Sequence, residues 1–86
     1  MRLHKDFILH NDGEKTFLIP TGNAEFSGVV KGNQSFSDVA EILKNNVTED
    51  EIIRIMREKY DAPDGLIEHD VRKILDNLRE IGAIID

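Results

Sequence analysis

The apolar residues of this 86-residue chain change their period at Gly32-Asn33, and that change restricts the fold more than any other feature. Before it, short apolar runs are separated by turn residues. "DFILH" and "KTFLIP" flank "NDGE", where Asp12-Gly13 is expected to supply the positive φ angles of a tight hairpin. Pro20 lacks an N–H for a ladder and closes the second strand. "TGN" then turns the chain into a third strand, expected over Glu25 to Lys31, with Gly28 inside it. A glycine within a strand packs nothing and often marks the close approach of another backbone.

After Gly32-Asn33 the period becomes that of a helix. The first helix is expected from about Ser35 to Asn46, with Ser35 and Asp38 in capping-box spacing and Phe36, Val39, Ala40 and Leu43 on one face. Thr48-Glu49-Asp50-Glu51 opens the second with a T-x-x-E box that puts carboxylates at the positive end of the dipole. Its buried stripe is Ile52, Ile53, Met56 and Tyr60. "DAPDG" breaks the chain, and a third helix follows from about Leu66 to Ile81, with Ile67, Val71, Ile74, Leu75 and Leu78 at helical spacing. Gly82 fits a C′ position, and "AIID" reads as a short extended tail. The expectation is one α+β domain over residues 1–86, winged-helix-like: a three-stranded antiparallel sheet as the wing (1–32), then a three-helix part (33–86).

Size and charge narrow the function. A chain this short buries only roughly 60–65% of its unfolded surface, which leaves little room for a deep substrate cavity. Without cysteine there is no disulfide framework, thiolate metal site or cysteine nucleophile. No apolar run is long enough to span a bilayer, and the N-terminus lacks the apolar centre of a secretory signal; the protein reads as cytoplasmic. The net charge of −6 falls entirely on residues 34–86, which hold seven Lys/Arg against thirteen Asp/Glu. Nucleic-acid affinity comes largely from cations that displace counterions, so neither nucleic acid nor an anionic membrane suits this domain, and a basic or mixed-charge peptide suits it better.

Candidate chemical groups do not assemble into a catalytic site. His4 and His10 flank the first strand about 20 Å apart at ~3.3 Å per residue, and His69 has no second histidine at i+4, so no metal site is expected. Neither "TGN" nor "KGN" matches a phosphate-binding loop. Glu49, Asp50 and Glu51 are helix-capping residues. The reading is of a non-enzymatic domain without a cofactor. Arg54 and Arg57 on the second helix suggest a winged-helix DNA-binding regulator as the alternative, opposed by Glu49, Asp50, Glu51 and Glu58 on the same helix.

The third strand supplies the primary hypothesis. In a three-stranded meander it lies at an edge, and an uncovered edge is a template for an added strand. If the third helix lies beside that edge without closing it, a groove remains. The candidate groove residues are Phe26, Ser27, Gly28, Val29, Val30 and Lys31 on the strand, with Val71, Leu75 and Leu78 as apolar anchors on the helix. Arg72 and Arg79, seven apart, could hold acidic side chains of a guest. An open edge also permits a strand-exchanged dimer alongside the monomer.

Three stretches, "FSGVVKGN", "ILKNNVTEDEIIRIMREKYDAP" and "DVRKILDNLREIGAII", occur in an order and spacing that resembles the PqqD family of coenzyme PQQ biosynthesis, over nearly the full chain. The resemblance implies a peptide chaperone. It would capture the leader of a ribosomally made precursor as a strand between the third strand and the third helix. It would then present that leader to a maturation enzyme, often of the radical SAM type, in PQQ or another natural product pathway. Gly32, where the family usually has a large aliphatic residue, and Ala40, where many members have tryptophan, depart from the pattern.

Overall fold

The computed structural model describes residues 1–24 and 28–86. Among the described residues eight elements follow in order: β1 (Arg2–Leu3), β2 (Phe7–Asn11), β3 (Thr16–Pro20), β4 (Val30–Gly32), α1 (Gln34–Ile42), α2 (Glu49–Lys59), α3 (Leu66–Glu80) and β5 (Ile84–Ile85). β2, β3 and β4 form an antiparallel sheet in that order, followed by the three helices. The fold is the expected α+β arrangement.

Alternation decides which face of the sheet is buried. Phe7, Leu9, Leu18 and Val30 point inward, and Leu9 and Val30 are cross-strand partners of Leu18. Ile8, Ile19 and Val29 are exposed. The core lies between the inner face and the helices, where Leu18, Val39, Leu43, Ile52, Val71, Leu75 and Leu78 are almost wholly buried.

Local chemistry sets the turns and helix ends. The hairpin is looser than a two-residue turn: of its loop residues only Gly13 has positive φ, at +97°. Asp12 Oδ1 accepts hydrogen bonds from the N–H groups of Glu14 and Lys15, and Asn11 Oδ1 accepts from Gly13 N–H. Those bonds hold the Asp12 carboxyl below its ordinary pKa. Thr48 and Glu51 form both arms of the expected capping box. At the end of α3, Ala83 N–H bonds to Leu78 C=O (2.8 Å) and Gly82 N–H to Arg79 C=O (3.0 Å), with Gly82 at φ +76°. This is the Schellman pairing, and Gly82 occupies C′ as expected.

Several expectations are corrected. The N-cap of α1 is Asn33, whose side chain accepts from Phe36 N–H at 3.0 Å, and the helix ends at Ile42. Asp38 therefore has no capping role. It is buried and accepts hydrogen bonds from Tyr60 Oη, Lys59 Nζ (3.0 Å) and Gln34 Nε2 (3.0 Å). Burial alone would raise its pKa, but these donors outweigh burial and hold the carboxyl below the ordinary range; the same contact raises Tyr60. The C-terminal tail is extended, as expected, and it also has a partner. β5 pairs antiparallel with β1, and Leu3 and His4 N–H bond to Leu43 and Ala83 C=O. β5 thus pairs with β1, in a sheet separate from that of β4.

Candidate functional site

Among the described residues β4 is paired on one side only, by β3, with Phe17 opposite Lys31 and Leu18 opposite Val30. The strand expected over Glu25–Lys31 is narrower here. Val29 precedes the ladder, and Gly28 is an exposed bend at φ +118°. That conformation is itself a reason for glycine at this position. Phe26 and Ser27 lie outside the described residues, as does Glu25.

Gly32 is close-packed for a different reason. A Cβ there would stand 2.2 Å from Phe36 Cδ1 and 2.6 Å from Phe36 Cβ. The Phe36 ring occupies the space that a side chain at 32 would need, and Phe36 is buried. The departure at Gly32 is thus compensated within the same strand-to-helix junction.

Hollows lie at both ends of α3. Near its start, a cavity of about 200 Å³ is bounded by Ser35, just beyond β4, and by Ile67, Asp70, Val71 and Ile74 of α3. Near its end, a more polar hollow of about 610 Å³ lies between Asn23 and Ala24 on one side and Arg79 and Ile81 on the other. The two hollows thus join the two ends of α3 to residues on either side of β4. Ile67, Ile74 and Ile81 recur every seven residues, which is within 20° of two helical turns. All three are half-buried against the core and border these hollows.

The residues expected to form the helix side separate into two groups. Val71 is buried and forms part of the cavity floor. Leu75 and Leu78 are 0% and 1% exposed and belong to the core, with no side-chain surface left for a guest. Arg72 bonds to Glu49 at 2.7 Å, which raises the Arg72 pKa further. Arg79 lies 3.7 Å from Asp76 and 3.4 Å from Asp86. Both arginines are on one flank of α3, as expected, but each already faces a carboxylate of this chain. On the strand side Val30 packs inward, whereas Val29 and Lys31 are exposed. Neighbouring Lys15, with a smaller effect of desolvation, lowers the Lys31 pKa. The wall residues that sequence reasoning missed are Ile67, Ile74 and Ile81; their heptad recurrence beside the Val71-Leu75-Leu78 stripe was the available signal.

Other chemistries gain no support. Among the described residues, no group of three or more His, Asp or Glu side chains could hold a metal, and no helix is long and apolar enough to cross a membrane. On α2, Arg57 is paired with Glu68 (Nε–Oε1 2.7 Å), so the second helix does not offer a free pair of arginines.

The fold is a small α+β domain with a sheet edge paired on one side among the described residues and a hollow at each end of its last helix. The family profile of Coenzyme PQQ synthesis protein D (PqqD) matches residues 8–84, and the chain belongs to that family. Two solved structures share the fold. One is TbiB1 in complex with the TbiA(beta) leader peptide, at 16% identity and a TM-score of 0.77, covering 100% of each chain. The other is lasso peptide synthetase B1 complexed with the leader peptide, at 13% identity and a TM-score of 0.77, covering 99% of this chain and 96% of that one. No curated protein matches the chain by sequence.

Proposed function

We propose that the domain is a non-enzymatic chaperone that takes the leader of a ribosomally made precursor as an added strand between β4 and α3. It then presents that leader to a modifying enzyme, of the radical SAM type or another. The observation that supports this reading is a sheet edge paired on one side among the described residues, with hollows that join the residues before and after β4 to the two ends of α3. Membership of the PqqD family supports it, as does the presence of leader peptides on both structural neighbours.

The energetics assign parts of the work. A three-residue β4 offers an incoming strand about two to four backbone bonds, each with a net value of roughly 0.5–1.5 kcal/mol. That falls short of the ~8 kcal/mol of a micromolar complex once association entropy is included. Burial of guest side chains against α3 has to supply the rest, at about 25 cal/mol per Å². The ladder aligns the guest, and the hollows select it.

The test is an NMR titration with candidate leader peptides from neighbouring genes. Amide shifts are expected at Val29–Gly32 and along α3. Shifts confined to α2, or none with any neighbouring peptide, would overturn the proposal. A gel shift at moderate salt is expected to show no retardation of DNA.

A further inference from the structure

The cavity at the start of α3 combines an apolar interior with an acidic rim. Met56 and Val71 are buried at its floor, and Tyr60, Ile67 and Ile74 are half-buried walls. Its volume of about 200 Å³ is below the roughly 300 Å³ at which small-molecule sites begin, but suits one large aliphatic or aromatic side chain. The wall is held in place. Tyr60 is the C-cap of α2, and its hydroxyl donates to buried Asp38, so its ring is fixed before any guest arrives.

Two exposed carboxylates, Asp61 and Asp70, line the same cavity. Among the described residues, neither has an ion-pair or side-chain hydrogen-bond partner. By contrast Asp38, Glu49 and Glu68 are paired with Lys59, Arg72 and Arg57. The helical part around the cavity also carries the whole net charge of −6. Its mouth therefore favours a cation that arrives with an apolar group.

We infer that this cavity selects guest strands in which a large apolar side chain inserts here with a lysine or arginine two positions away. In an extended peptide, residues i and i+2 project from the same face roughly 7 Å apart, so the anchor can enter while the cation meets Asp61 and Asp70. The charge preference is the reverse of the one expected from Arg72 and Arg79, because those arginines are already engaged by this chain's own acids. The inference rests on the strand-addition reading and adds the guest chemistry to it.

The test uses synthetic twelve-residue peptides of alternating threonine and valine with one central leucine and, two positions on, lysine, glutamine or glutamate. Affinity is read by fluorescence anisotropy and the binding site by amide shifts. The lysine peptide is expected to bind about tenfold more tightly than the glutamate peptide at low salt, a gap that shrinks in about 0.5 M salt. In the D61N/D70N double variant the gap is expected to fall to about twofold or less, with the free-protein spectrum otherwise preserved. Replacing the central leucine by serine is expected to weaken binding at least tenfold. Peptides that shift β4 equally whatever their charge, with no response to D61N/D70N, would overturn this inference and leave strand addition standing. If no probe shifts β4 or α3, strand addition itself fails and this inference fails with it.

Discussion

Gly32→Ala is a small change with a large expected cost. Its backbone φ is not in the left-handed region, so an alanine there meets no conformational penalty and would ordinarily stabilise the fold by about 0.4–1 kcal/mol through the unfolded chain. The new Cβ, however, would lie 2.2, 2.3 and 2.6 Å from Cδ1, Cγ and Cβ of Phe36. Because Phe36 Cβ is among these atoms, rotating the ring about its outer bond does not relieve the overlap. Either the junction between β4 and α1 shifts or Phe36 leaves its rotamer. Driving a side chain off its rotamer costs about 0.5–1.5 kcal/mol, and full loss of a buried phenylalanine costs about 3–5 kcal/mol. The expected destabilisation is therefore about 1–4 kcal/mol, a large share of the roughly 4–13 kcal/mol available to a domain of this length.

Urea denaturation measures that loss, and a double-mutant cycle identifies its cause. In a Phe36→Gly background Cβ, Cγ and Cδ1 are all absent and the space is vacant, so adding Gly32→Ala is expected to cost less than about 0.5 kcal/mol. The coupling between the two sites should then nearly equal the cost of Gly32→Ala alone. In a thermal scan each kcal/mol corresponds to about 4–8 °C for a domain of this size. A Gly32→Ala protein as stable as wild type, or one equally destabilised with and without Phe36, would refute the steric account of this junction.

Other perturbations probe the remaining parts of the fold. Leu75→Ala should cost about 2–5 kcal/mol in urea titrations, because Leu75 is wholly buried in the core. Thr48→Ala should cost about 0.5–2 kcal/mol by loss of the capping box at α2. Asp38→Asn should reveal a pH-dependent contribution. The folded-state pKa of Asp38 is lowered, so the stabilisation by its carboxylate is present above the unfolded value of about 3.9 and disappears as pH falls through the folded value. Urea midpoints should favour wild type at pH 7, and the difference should close below about pH 4.

Much of the fold was legible because it depends on local chemistry. The hairpin follows from "NDGE" between two alternating runs, α2 from Thr48 and Glu51, and the end of α3 from Gly82. Features created by contacts distant in the chain were not legible. β1 and β5 have two residues each, too few for any period, and their pairing joins the two ends of the chain. Asp38 satisfied a local capping pattern with Ser35. Its actual partner, Tyr60, is 22 residues away, and Asn33 was better placed to cap. The site was read in part for the same reason. An apolar residue on α3 looks alike in sequence whether it faces the core, as Leu75 does, or borders a hollow, as Ile74 does.

The shortness of β4 bears on selectivity. A long, flat edge would give any extended chain enough ladder bonds to be held, including a second copy of the domain. Three strand residues supply too few, and Lys31 on that strand carries a charge that opposes non-specific pairing. On the strand-addition proposal, residence at this edge depends on what a guest places against the isoleucine flank and in the hollow beside Tyr60. On that proposal the backbone pairing common to all peptides is weak, and discrimination passes to guest side chains, where a single apolar anchor with an adjacent charge separates one leader from another.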